Sequence, residues 1–62
     1  MGNWIERNPE PGETVRFTLN NTIEIGVYLK RGFGSAQNYW IIDIGNRRVW
    51  AWDYTTFEVF KP

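Results

Sequence analysis

Residues 39 to 53 hold two runs rich in β-branched and aromatic side chains, Tyr39-Trp40-Ile41-Ile42-Asp43 and Arg48-Val49-Trp50-Ala51-Trp52, on either side of Gly45-Asn46. A glycine-asparagine pair between such runs is a strong short-range signal for a β-hairpin. A two-residue loop then sets Ile44 opposite Arg47, Asp43 opposite Arg48, Ile42 opposite Val49, Ile41 opposite Trp50, Trp40 opposite Ala51 and Tyr39 opposite Trp52. Successive side chains point to opposite faces, so Trp40, Ile42, Ile44, Val49 and Ala51 share one side and Tyr39, Ile41, Trp50 and Trp52 the other. Asp43 and Arg48 form a candidate cross-strand ion pair near the turn. Both faces are largely apolar, and periodicity does not say which is buried.

The remainder of the chain is also β-patterned. Val15, Phe17 and Leu19 alternate with Arg16 and Thr18, and Ile23, Ile25, Val27 and Leu29 repeat the period. A two-residue Asn20-Asn21 loop sets Phe17 against Glu24, whereas a three-residue loop pairs Leu19 with Ile23, Phe17 with Ile25 and Val15 with Val27; apolar matching favours the longer loop. Gly26 marks a bend in a long second strand. Lys30 to Asn38, with two glycines and no periodicity, reads as an exposed loop. Tyr54-Thr55-Thr56 is a tight turn before a last strand at 57–60 in which Phe57 and Val59 share a face. Ahead of Val15, Pro9 and Pro11 exclude a regular helix, so residues 1–14 are expected as an irregular lead-in, with Trp4 and Ile5 folding back over an open end of the core. No stretch carries a helical period long enough to use, and no repeat is present.

Five short strands with a long bent second one, a connecting loop, a hairpin and a one-turn link predict an all-β fold, a five-stranded antiparallel SH3-like small barrel occupying residues 1–62 as a single domain. An open antiparallel sheet that dimerises through the Trp50 and Trp52 face is the alternative, and an OB-type barrel usually needs a longer chain. At 62 residues the chain has little interior, and with no cysteine and no histidine it lacks disulfide staples and the common zinc ligand sets. Four tryptophans, three tyrosines and four phenylalanines supply the buried area instead. Seven basic residues balance seven acidic ones, so there is no general attraction to nucleic acid or anionic lipid. No membrane span or signal peptide is apparent, and a cytoplasmic location is expected.

The opening Trp4-Ile5, then Pro9-Glu10-Pro11-Gly12-Glu13 and Val15, resembles the start of a small family of unknown function common in bacteriophages and prophages, in which a W-I dipeptide precedes a P-x-P-G turn and a first strand. Asn8 stands where that family usually has leucine, and the family's tryptophan-methionine-proline finish is replaced by Lys61-Pro62. The resemblance covers roughly the first quarter of the chain. It implies an accessory protein of phage or prophage acting in the bacterial cytoplasm, and it implies no reaction; docking on a host or phage protein is instead the expectation that the aromatic surface raises.

Enzymatic chemistry is poorly supplied. Nucleophile-base pairs normally use histidine, and no glycine-rich phosphate loop opens a helix. Glu24, Asp43, Asp53 and Glu58 fall on strands, where solvated or ion-paired carboxylates are the ordinary case; a paired-carboxylate site needs a cleft. No catalytic residue, cofactor or metal site is therefore expected, a homo-oligomer with a shared pore-like site being the distant enzymatic alternative. The leading candidate is a partner-binding aromatic face made by Tyr39, Trp50 and Trp52, with Tyr28 and Phe33, since tryptophan and tyrosine dominate binding hot spots. The second is a basic group, Lys30, Arg31, Arg47 and Arg48, which beside exposed rings would suit single-stranded nucleic acid. Either a monomer or a homodimer is compatible with these readings.

Overall fold

The computed structural model describes residues 2–32 and 38–62. They form six strands and no helix: β1 (Asn3–Glu6), β2 (Thr14–Leu19), β3 (Thr22–Gly32), β4 (Tyr39–Asp43), β5 (Arg48–Trp52) and β6 (Glu58–Lys61). All pairings are antiparallel, in one sheet ordered β1-β6-β2-β3-β4-β5. The all-β architecture agrees with the sequence pattern; the sheet is not closed into a barrel.

The β4–β5 hairpin has the register its turn residues dictate, from Asp43 opposite Arg48 to Tyr39 opposite Trp52. Gly45 takes φ of 109°, a conformation open to glycine and strained for other residues, and the Ile44 N–H donates to the Arg47 carbonyl at 3.0 Å to close the loop. Asp43 forms no ion pair with Arg48. Its Oδ1 accepts the Gly45 N–H at 2.9 Å, the local side-chain-to-backbone bond by which aspartate stabilises turns.

The β2–β3 hairpin differs from the expected one. Asn20 and Asn21 have φ of 50° and 66°, both left-handed, as a two-residue type I′ turn requires, and asparagine is the non-glycine residue that best tolerates that region. Leu19 therefore faces Thr22, Phe17 faces Glu24 and Val15 faces Gly26. The one-residue change turns Ile23, Ile25 and Val27 outward. Tertiary crowding favours this choice. A Cβ on Gly26 would press into the Asp43 carbonyl and come 2.8 Å from Ile42 Cγ2, so no larger residue can face inward where β3 begins to pair with β4.

From Val27, which pairs with both Thr14 and Asp43, β3 continues against β4, pairing Tyr28 with Ile42, and then shifts register between Tyr28 and Lys30. This bulge leaves Leu29 unpaired and inverts the alternation, which takes Lys30 out of the core and sets Arg31 opposite Trp40. Lys30, Arg31 and Gly32 are thus strand residues; of the segment expected as a loop, 33–37 lies outside the described residues.

The lead-in is also a strand in part. Trp4 faces Phe60 and Ile5 faces Val59, so β1 extends the sheet beyond β6 instead of lying over the core's end. The Glu13 N–H donates to the Glu10 carbonyl at 3.1 Å, closing a turn over Pro11 and Gly12, and the Gly12 and Tyr28 amides, donating to the Tyr28 and Glu13 carbonyls, tie that turn to β3. The core joins Val15, Phe17, Tyr28, Trp40, Ile42, Val49, Ala51, Phe57 and Val59, with Leu19 and Ile44 packed against it. Trp40 of β4 and Phe57, the residue just before β6, meet at 5.3 Å between ring centroids although two strands separate β4 from β6, so the sheet curls strongly around its inner face.

Candidate functional site

The hairpin register and the curl together sort the aromatic residues. On the inner face Trp40 is buried, with its indole N–H donating to the Asp53 carbonyl at 3.3 Å and its ring edge-on to Tyr28 and Phe57. On the outer face Trp50 and Trp52 are 59% and 54% exposed. Tyr39 stands edge-to-face with Trp50, 6.2 Å between centroids at 79°, an arrangement that suits the ring quadrupoles. The Tyr39 ring lies where a side chain on Gly32 would be, so glycine there lets the tyrosine settle on the backbone. Tyr39, Trp50, Ala51 and Trp52 line a shallow depression of about 340 Å³.

Two of the five aromatic residues assigned to this face from sequence do not belong to the described surface. Tyr28 is 2% exposed and part of the core, because β3 turns it inward ahead of the bulge; burial also pushes its phenol above its ordinary value, against a smaller opposing effect of Arg31. Phe33 lies outside the described residues.

The four basic residues do not converge. Arg31 sits on the inner side, its guanidinium 4.2 Å from the Trp40 ring centroid and bonded to Asp53 Oδ1 at 2.6 Å, so it covers a core indole and is neutralised by a carboxylate. Arg47 and Arg48 occupy the other end of the hairpin, at its turn, and are exposed. Of these four, Lys30, opposite Ile41, and Arg48, opposite Asp43, are set by the register on the same face as Trp50. The carboxylates are likewise dispersed: Asp43 serves the turn, Asp53 holds Arg31, and Glu58 accepts from Arg16 Nε at 2.8 Å. No group of three or more metal-ligating side chains exists among the described residues.

The most perturbed carboxylate is structural. Two bonds from Arg7, at 3.0 and 2.6 Å, and one from the Glu10 backbone N–H at 2.7 Å hold Glu13 down to about 2. They brace the proline turn between β1 and β2.

The outer face carries a second apolar strip that sequence reasoning assigned to the core: Ile23, Ile25 and Val27, the first two 69% and 54% exposed. Asn20-Asn21 was the available signal, since a pair of residues that accept positive φ selects a two-residue turn and reverses the strand's faces. Tyr54, 82% exposed beyond β5, was read only as part of a turn. No family model, curated protein or solved structure matches the chain. No helix is long and apolar enough to cross a membrane among the described residues.

Proposed function

We propose that this chain is a non-enzymatic binding module, a phage or prophage accessory protein of the bacterial cytoplasm that docks on a host or phage protein through Tyr39, Trp50 and Trp52. One observation carries the reading: two tryptophans of a 62-residue chain stand more than half exposed beside a tyrosine, around a depression, while an equally apolar set fills the core. Rigid rings with few rotatable bonds are the side chains that dominate protein interfaces, and contiguous exposed apolar surface marks such sites. An SH3-like barrel is the finer fold that suits this module. The run β6-β2-β3-β4-β5, the short link at Tyr54–Thr56 and the meeting of Trp40 with Phe57 support it.

The test is a quantitative pull-down from bacterial lysate with the wild-type chain, Trp52→Ala and, as a control on the other strip, Ile23→Ser. A protein captured by wild type and by Ile23→Ser but lost with Trp52→Ala supports the reading. Equal capture by all three overturns it.

Lys30 and Arg48 flanking the same rings favour one second reading, a single-stranded nucleic-acid binder. Titrating the tryptophan fluorescence with a thymidine oligonucleotide decides it. Binding that weakens steeply with added salt supports nucleic acid, and no quenching at low salt removes it.

A further inference from the structure

The sheet ends in two unlike edges. The β1 edge is short, four residues with Glu6 at its end, and is followed by Arg7, pinned to Glu13, and by Pro9 and Pro11. Charge, brevity and proline are the devices that keep strand edges from pairing. The β5 edge has none of them within Val49-Trp50-Ala51-Trp52, and its only charge is Arg48 at the start.

The direction of its free groups follows from the turn. The Ile44 amide bonds the Arg47 carbonyl, so positions 44 and 47 are a hydrogen-bonded pair. Such pairs alternate along an antiparallel ladder, which makes Ile42–Val49 and Trp40–Ala51 bonded pairs and leaves Arg48, Trp50 and Trp52 with N–H and C=O groups aimed away from β4. Among the described residues, the one bond made on that side is from the Thr55 N–H to the Trp52 carbonyl, at 2.9 Å.

We infer that the β5 edge takes a second copy of this chain, two β5 strands pairing antiparallel about a two-fold axis at Trp50. In that register Trp50 faces Trp50 of the second copy, and the two exchange both backbone hydrogen bonds. Arg48 faces Trp52 of the second copy, a cation beside an indole. Charge selects this direction. The edge runs from Arg47-Arg48 to Asp53, so antiparallel pairing keeps the two basic ends apart and sets each beside a carboxylate that also holds Arg31, and a formal net charge of zero adds no repulsion between copies.

The area sets the strength. Each indole offers at most roughly 150 to 250 Å², much of it already covered, so four of them fall short of the ~1,200 to 2,000 Å² of a standard interface. The pair is held by its ladder and a few rings, with Kd on the order of 10 to 100 μM. Edge pairing uses the backbone and leaves the outer face open, so two aromatic patches merge into one. The inference does not rest on partner docking, and loss of capture by Trp52→Ala bears on docking alone.

Sedimentation equilibrium of the full chain from about 5 μM to about 1 mM tests it, a range that brackets that Kd. The wild type is expected to double in mass across the range. Arg48→Pro, which removes an N–H that faces outward and which an edge strand tolerates, is expected to remain monomeric with an unchanged far-ultraviolet spectrum. A wild type that stays monomeric throughout, or an Arg48→Pro variant that dimerises as the wild type does, overturns the inference. Should Arg48→Pro fail to fold, Arg48→Glu serves instead: a Kd weakened about tenfold, roughly 1.4 kcal/mol, supports the charge pairing and an unchanged Kd overturns it.

Discussion

The two faces of the β4–β5 hairpin have nearly the same composition and opposite fates. Trp40, Ile42, Val49 and Ala51 are buried, while Trp50 and Trp52 one residue away on the same strands are more than half exposed. Hydropathy does not separate them. The inner set is covered because the sheet curls toward it, bringing over Phe17 of β2 and Phe57, which precedes β6. Burial here is a consequence of curvature, and an apolar face on the convex side of a one-layer sheet has nothing among the described residues to pack on.

The largest blow to that contrast comes from Trp40→Ala. Truncating a buried tryptophan in so small a core should cost about 3 to 5 kcal/mol, read by urea unfolding as a midpoint shift at constant slope. Gly26→Ala should come next, at about 1 to 3 kcal/mol, because its methyl group presses on the Asp43 carbonyl where β3 begins to pair with β4. Trp52→Ala is expected to change stability by less than about 1 kcal/mol, the mark of a surface residue. A loss comparable to that of Trp40→Ala would show the outer face to be core.

Ile25→Ala sharpens the same contrast on β3. With Ile25 opposite Arg16 on the outside, thermal melting should detect under about 1 kcal/mol, whereas the register that apolar matching favours would make it a core truncation of roughly 2 to 5 kcal/mol. The smallest effect belongs to Glu13→Gln. Glu13 has its folded pKa lowered to about 2 by Arg7 and the Glu10 amide, so its contribution is present above the ordinary carboxylate value and lost as pH falls toward 2. Between about pH 4.5 and 2 the wild type should lose more stability than Glu13→Gln, and parallel acid limbs would refute the brace.

How much could be read in advance depended on how local the cause was. Gly45-Asn46 set the register of β4 against β5 because a two-residue turn leaves one pairing available. Asn20-Asn21 carried the same kind of information for β2 and β3, and apolar matching overrode it wrongly. Trp4-Ile5 was legible as too apolar to be free, but its strand was not, since β1 exists only through β6, more than fifty residues away in sequence. Tyr39, Trp50 and Trp52 were grouped correctly by alternation; Tyr28 was not, because the two-residue turn at Asn20-Asn21 reverses the faces of β3 and points Tyr28 inward.

By itself the sequence determined the all-β class, the central hairpin and which of its residues share a side, all of which follow from a period of two and the φ angles that turn residues accept. Only the tertiary structure decided which side became interior, which edges stayed open and where the cations came to rest. Those depend on curvature and on contacts between distant strands, and alternation is symmetric with respect to inside and outside.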